Sequence, residues 1–269
     1  PPSFDSQEYW NDRFTSNPNP FEWLGSSDAL DPYLTTALRN ISDLEQPEIL
    51  HIGCGTSLLS YHLRKYVRNS EQVHNVDYSE VAIEIGKKKE AEMFAITGND
   101  TANSSTMRWS SINLLDHSSL LQAFQPSTYS IVVEKSTSDS ISCADDVDVP
   151  LPYHIITSSN ASFVSGQEQV SKLVHPLHIL AVHLALVTKP GGRWIALSYS
   201  MDRYPFLDSS ASDTIADDSE LPNPSRLWKL VGKFEMEPEI QISGADASQA
   251  HKPKVLHWVY VLERTNVEL

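Results

Sequence analysis

An apolar stretch runs into a glycine turn over residues 49–57, whose sequence is ILHIGCGTS. Gly53 and Gly55 permit a positive φ, and their lack of a side chain lets a ligand approach the backbone closely. A helical pattern follows, and the free N–H groups at the start of a helix favour an anionic or polar ligand. The same two glycines would also suit a tight strand-to-helix turn that binds nothing.

Asp77 ends the next apolar stretch, 22 residues after Gly55. A carboxylate at this point can accept hydrogen bonds from both hydroxyls of a ribose. It could equally cap a helix that begins near Ser79. A dinucleotide site usually has a third glycine three positions after the second, where this chain has Leu58. The bulkier residue argues against a pyrophosphate and favours a nucleoside without one, such as S-adenosylmethionine.

The periodicity of apolar residues predicts the elements that position this turn and this acid. Strands are predicted at residues 49–53, 73–77, 107–113, 129–135 and 193–200. One helix is predicted where Leu59, Leu63 and Val67 share a face. Two more are predicted over residues 79–93 and from about residue 167 to residue 187. Strands that alternate with helices predict a parallel sheet with helices on both faces.

The C-terminal part breaks this alternation. Residues 234–242 and 255–264 predict two strands without a helix between them, and thus an antiparallel hairpin at the sheet edge. Residues 136–166 and 202–226 are poor in apolar periodicity and follow strand ends, where open α/β sheets bind ligands. They are expected to be either substrate-side loops or plain surface loops. We predict one domain over residues 1–269.

Charge and cysteine content narrow the partners and the compartment. The 269 residues include 20 Lys and Arg against 35 Asp and Glu, a formal net charge of −15. This field disfavours nucleic acid and anionic membrane surfaces and attracts a basic protein. Cys54 and Cys143 cannot form a disulfide framework and fit a reducing compartment. Residues 173–187 are too few to span a membrane, and the N-terminal residues lack a signal pattern, so we expect a cytoplasmic protein.

Two further kinds of chemistry find little support. His175 and His178 are three residues apart with Pro176 between them, whereas metal-binding pairs on a helix usually stand four apart. Together with His183, they are interpreted as histidines of an amphipathic helix, and no metal is expected. A serine hydrolase would need a Gly-x-Ser-x-Gly elbow, which the chain does not contain.

Several strings resemble a known family. ILHIGCGTSLLSYHL and VHNVDYSEVAIE resemble the first two motifs of class I S-adenosylmethionine-dependent methyltransferases. EYWNDRF, FEWL, MRWSSINLLD, YSIVVEKSTSDSI and VTKPGGRWIALSYS are similar to strings of the eukaryotic lysine methyltransferases that modify translation elongation factor 1-alpha. The resemblance covers residues 8–200. It implies a Rossmann-like α/β fold with a seven-stranded, mostly parallel sheet, S-adenosyl-L-methionine as cofactor and S-adenosyl-L-homocysteine as product.

The resemblance also implies roles for individual residues. The glycine turn would line the methionine moiety, Asp77 would bind the ribose, and Tyr78 would pack beside the adenine. Asn113 stands where the family usually has an Asp facing the adenine amine. Residues 1–45 would form an extension covering the cofactor, with Arg13 paired to its carboxylate. The cofactor-binding residues so implied are Trp10, Arg13, Gly53, Cys54, Gly55, Asp77, Tyr78, Asn113 and Glu134.

Methyl transfer from a sulfonium depends on alignment of the nucleophile and on exclusion of water. A lysine must first lose its proton, and a desolvating aromatic channel would lower its pKa. Trp23, Tyr199 and Tyr204 are candidates for that channel; Phe21 and Trp23 would otherwise be core aromatics. Glu134 and Asp139 are the predicted catalytic residues, because carboxylates could steer the cation, although Asp139 could instead cap a turn.

Three functional hypotheses remain open at this stage. The favoured one is N-methylation of a lysine in a basic protein such as elongation factor 1-alpha. The second is O-, N- or S-methylation of a small molecule, because the same scaffold serves both. The third is a catalytically silent binding protein. Asn113 and Ser136 favour the third, since the family has Asp and glycine at these positions.

Overall fold

The computed structural model describes residues 2–39, 46–94, 106–153, 170–207, 220–238 and 255–269. The strands in these ranges are β1 (Ile49–Ile52), β2 (Val73–Asp77), β3 (Arg108–Ser111), β4 (Tyr129–Lys135), β5 (Val147–Pro150), β6 (Ser171–Val174), β7 (Thr188–Ser198), β8 (Trp228–Met236) and β9 (His257–Arg264). The helices are α1 (Gln7–Ser16), α2 (Asp31–Arg39), α3 (Leu59–His62), α4 (Glu80–Phe94), α5 (His117–Ala123), α6 (Thr137–Ile141), α7 (Pro176–Val187) and α8 (Pro224–Leu227).

Seven of the described strands form one sheet in the order β3-β2-β1-β4-β7-β9-β8. Five neighbouring strands of this sheet run parallel to one another: β3, β2, β1, β4 and β7. Strand β9 pairs antiparallel with both β7 and β8. Every residue of β1, β2 and β4 is buried, as expected for central parallel strands that are covered on both faces. The predicted fold class, including its antiparallel C-terminal pair, is confirmed.

Successive residues of β4 show how the sheet divides the core. Val132 packs in an apolar cluster that includes most of α7, on one face. Ile131 and Val133 pack on the other face, in a cluster with Leu34 of α2 and Leu59 of α3. This alternation follows from the two-residue period of a strand, and it fixes the sheet between two helical layers.

The two largest differences from the predicted bounds are at α7 and β8. The helix predicted from about residue 167 begins at Pro176, where the His175 side chain accepts a hydrogen bond from the Leu177 N–H. Proline lacks an N–H and therefore suits the first helical turn. The residues before it form β6, which pairs with β5. β8 begins six residues before the predicted strand, and a register shift between Leu230 and Gly232 breaks its alternation. Residues 239–242 of that prediction lie outside the described ranges.

The N-terminal segment, residues 2–30, packs against the carboxyl-end side of the sheet, and we call it the cover. Ser6 caps α1 by accepting a hydrogen bond from the Tyr9 N–H. Trp10 stacks on Phe14 with ring centroids 5.6 Å apart, and its indole N–H donates to the Phe4 carbonyl at 2.7 Å. These aromatic contacts hold α1, which is short and weakly amphipathic, against α4.

None of the helices in the described ranges is long and apolar enough to cross a membrane.

Candidate active site

A cavity of about 590 Å³ opens at the carboxyl ends of the parallel strands. Its lining comes from the segments that follow β1, β2, β3, β4 and β7, and from the cover. Open α/β sheets bind ligands at this edge, and the volume is in the range of small-molecule and cofactor pockets. Of the predicted cofactor-binding residues, those that line it are Trp10, Gly53, Cys54, Gly55, Asp77, Tyr78 and Asn113.

The glycine turn needs both of its glycines. Gly53 and Gly55 have φ values of 56° and 46°, a region that other residues enter only with strain. A Cβ on Gly53 would lie 2.2 Å from Oγ1 of Thr137, and one on Gly55 would lie 3.2 Å from Cζ of Phe14. The turn is therefore pressed between the start of α6 and the cover, which leaves backbone rather than side chains facing a ligand.

Asp77 holds the glycine turn and the start of α4 at the same time. Its Oδ2 accepts a hydrogen bond from the Gly55 N–H at 2.9 Å, and its Oδ1 accepts one from the Ser79 N–H at 2.9 Å. Burial raises the pKa of Asp77 to about 6, although these N–H donors act in the opposite direction. The carboxylate lines the cavity and has further lone pairs, so it can both cap the helix and accept ribose hydroxyls.

The cover supplies an aromatic wall to the cavity. Its members are Phe4, Trp10, Phe14, Phe21 and Trp23. Phe21 and Trp23, for which a core position was the alternative, both line the cavity. Arg13 lies outside the lining; its guanidinium carbon sits 4.6 Å from the centroid of the Phe21 ring, a cation–π contact within the cover.

The position of Glu134 corrects its predicted contact with the cofactor. Its side chain is fully buried and lies outside the cavity lining. Its oxygens accept hydrogen bonds from the Ser138 N–H and hydroxyl, the Trp194 indole at 3.1 Å and the Tyr204 hydroxyl at 3.0 Å. Burial raises its pKa, and the hydrogen bonds from Ser138 counter this. Glu134 therefore fastens β4 to α6 and β7, and Tyr204 is part of this network instead of the channel wall.

Asp139 lines the cavity, but its carboxylate is already paired. Oδ1 lies 2.7 Å from Nε of Arg203 and accepts from the Ser198 hydroxyl, and Oδ2 accepts from the Tyr199 N–H at 3.2 Å. Both charged side chains are nearly buried. The pair ties α6 to the loop that follows β7, and the negative charge is neutralised beside the cavity.

Asn113 and Ser136, two positions that depart from the family strings, both lie on the cavity wall. Asn113 is exposed, and its Oδ1 accepts a hydrogen bond from the Leu115 N–H at 3.0 Å. Ser136 has a φ of 62°, a left-handed conformation that explains why the family has glycine there. Its Oγ is buried and has no hydrogen-bond partner among the described residues.

Three further residues that line or support the cavity were not predicted from the sequence. His51 is buried in the wall, where burial lowers its pKa to about 3, so it is neutral. Lys135 ends β4, and its ammonium pairs with Glu22 of the cover. The signal for Glu22 was present, since a single acid stands between two aromatic residues in the string FEWL. No group of three or more potential metal ligands occurs among the described residues.

No family model matches the chain. A Neurospora crassa protein, "Methyltransferase srdJ", is 30% identical over 261 residues, which are 97% of this chain and 84% of that protein. EEF1A lysine methyltransferase 4 of Bos taurus is 24% identical over 193 residues, 71% of this chain and 60% of that protein. A solved structure of an S-adenosylmethionine-dependent methyltransferase from Anabaena variabilis shares the fold, with a TM-score of 0.53, 13% identity and coverage of 97% of this chain and 94% of that one.

The sheet order and the cavity at its carboxyl edge define an α/β protein with a nucleoside-type cofactor site. With the similarity to the Neurospora protein, the chain belongs to the class I S-adenosylmethionine-dependent methyltransferases. S-adenosylmethionine is its cofactor. The residues present fit this cofactor, because a bare glycine turn, a buried acid and an aromatic wall surround one cavity.

Proposed function

We propose that the protein N-methylates the side chain of a lysine in a basic protein, with elongation factor 1-alpha as the favoured substrate. The bovine relative named for this activity supports the proposal, although the chain spans only 60% of that relative's length. The net charge of −15 would favour encounter with a basic partner. We also propose a single domain over residues 1–269 and a cytoplasmic location.

The observation that carries the proposal is the state of the charged groups around the cavity. Asp139 is neutralised by Arg203, so it would not hold an incoming ammonium in its protonated form. Trp23 and Tyr199 line the cavity and would desolvate the amine, which lowers its pKa. His51, with a pKa of about 3, is too weak a base to take a proton from a hydroxyl acceptor. An amine that loses its proton to water is therefore favoured over a hydroxyl.

The bound cofactor supplies an activated sulfonium methyl group, and the chain's residues supply alignment. Asp77 would accept the ribose hydroxyls, and the glycine turn would let the donor approach the backbone of β1. The cover would exclude water with its aromatic wall, which matters because alignment and a dry site supply most of the rate in such a transfer. Glu134 would act as a positioning residue, by fixing α6 beside the acceptor.

A small-molecule acceptor is the second candidate. The most similar of the relatives described above is named only as a methyltransferase, and its identity to this chain exceeds that of the lysine methyltransferases. A cavity of about 590 Å³ with a largely apolar wall could enclose an apolar amine or thiol as readily as a lysine side chain.

Labelled S-adenosylmethionine incubated with the protein and a eukaryotic lysate tests the proposal. The expected result is label in one protein band of the size of elongation factor 1-alpha, on a lysine identified by mass spectrometry. The variant Asp77→Ala should abolish the label, while Glu84→Gln, which removes an exposed acid on α4, should retain it.

Label confined to the small-molecule fraction would contradict lysine methylation and support the second candidate. A protein that binds the cofactor in calorimetry but labels nothing in either fraction would contradict both, and would support the silent binding protein.

A further inference from the structure

Glu22 of the cover places a carboxylate at the start of α3. Its Oε1 accepts a hydrogen bond from the Leu58 N–H at 2.6 Å, and its Oε2 accepts one from the Ser57 hydroxyl at 2.8 Å. The N–H groups at this point are those that a pyrophosphate would use in a dinucleotide enzyme. In this chain a side chain of the cover uses them, so the cover is fastened directly to the segment that follows the glycine turn.

Lys135 fastens the same part of the cover from the opposite side. Its side chain is only 3% exposed, and its ammonium forms an ion pair with Oε2 of Glu22. It also donates to the backbone carbonyl of Gly25 at 2.9 Å and to that of Ser26 at 3.4 Å. Separation of the cover would break this ion pair and both of these hydrogen bonds at once.

The position of this pair relative to the cavity suggests its role. The cover forms the aromatic wall, and Phe14 approaches Gly55 so closely that a Cβ there would be in tight contact. The cavity is only partly enclosed by the cover, and movement of the cover would widen the path by which a cofactor enters and leaves. Lys135 lines the cavity, whereas Glu22 does not.

We propose that the Glu22–Lys135 pair is a latch that holds the cover closed and limits the rate of cofactor exchange. Because Glu22 lies outside the cavity lining, its loss makes opening easier with or without ligand. Removal of the latch therefore raises the association and dissociation rates together and leaves the dissociation constant nearly unchanged. A residue that binds the cofactor would instead change the dissociation constant.

Stopped-flow measurement of S-adenosylhomocysteine binding tests the latch, with the fluorescence of Trp10 and Trp23 in the cavity wall as signal. The variant Glu22→Gln keeps a hydrogen-bonding side chain of the same size but removes the charge. Both rates are expected to rise by about tenfold or more, with a change in the dissociation constant of less than about threefold. The control Glu263→Gln breaks the Arg193 pair of β7 and β9, away from the cavity, and should change neither rate.

Unchanged rates in Glu22→Gln would overturn the proposal, as would a faster dissociation rate alone with a weaker dissociation constant. If Glu22→Gln does not fold, Lys135→Gln replaces it as the test, read on the same two rates. If both fold, their effects on dissociation should not add in the double variant, because each removes the same pair. Additive effects would show that the two residues act independently, and would also overturn the latch.

Discussion

The two halves of the cavity are built in different ways. The half formed by the segments after β1 and β2 uses backbone groups and one acid: the glycine turn, the N–H donors of Gly55 and Ser79, and Asp77. The half formed after β4 depends on side-chain networks. In these networks Glu134 is hydrogen-bonded to a residue of β7, and Asp139 is ion-paired with a residue of the loop that follows β7. The first half would therefore bind the donor mainly through backbone groups and one acid, whereas acceptor specificity in the second would depend on side chains.

The largest expected effect is in the first half. Asp77→Ala removes the proposed acceptor for the ribose hydroxyls and the hydrogen bond from the Gly55 N–H. Charged hydrogen bonds of this kind each contribute about 1.5–3 kcal/mol, so the dissociation constant for S-adenosylhomocysteine should rise about a thousandfold. Calorimetry measures it, with Glu84→Gln as control. A rise of less than about tenfold would mean that Asp77 serves only as a helix cap.

The second half should respond in stability and not in cofactor affinity. Arg203→Met leaves the buried Asp139 carboxylate without its cation, which should lower the free energy of unfolding by about 4 kcal/mol. The matched control is Lys233→Met, which removes an exposed partner of Asp202 at 3.6 Å and should cost under about 1 kcal/mol. Urea unfolding measures both. Equal losses of stability in the two variants, or a large loss of cofactor affinity in Arg203→Met, would contradict the proposed difference between the two halves.

The contribution of Asp77 to the pH dependence of stability can be isolated with a single variant. The pKa of Asp77 is about 6 in the folded chain, compared with the ordinary value of 3.8 expected in the unfolded chain, so the folded state binds the proton more tightly. The free energy of unfolding should therefore fall as pH rises from about 4 to about 6, by about 3 kcal/mol from this group. Urea unfolding of ligand-free wild-type protein and of Asp77→Asn over this range provides the test. Parallel pH profiles for the two proteins would rule out this contribution.

The smallest expected effect concerns Ser136. Ser136→Gly relieves a left-handed residue and removes a buried hydroxyl without a partner among the described residues, so it should raise the free energy of unfolding by about 1 kcal/mol. Ser127→Gly is the matched control, because Ser127 has a φ of 50° at an exposed position. A gain in Ser127→Gly but none in Ser136→Gly would indicate that the Ser136 hydroxyl contributes to the folded state.

The first half of the cavity was largely predictable, because its sequence signals are local. The glycine turn and Asp77 lie at the ends of apolar stretches, and the parallel order of those strands places their carboxyl ends together. The fold class followed from the same alternation of strands and helices. The start of α7 and the pairing of β5 with β6 were missed, because a proline boundary and a short strand pair have weaker periodic signals.

The sequence by itself determined the class of fold, the glycine turn and the acid that faces it, since each depends on backbone conformation and on periods of a few residues. Only the tertiary structure decided which charges are free and which are paired. Glu22 and Lys135 are 113 residues apart, and Asp139 meets Arg203 through the packing of α6 on β7. Such partners are chosen by the packing of distant segments, where burial makes an unpaired charge costly, and no local pattern records that choice.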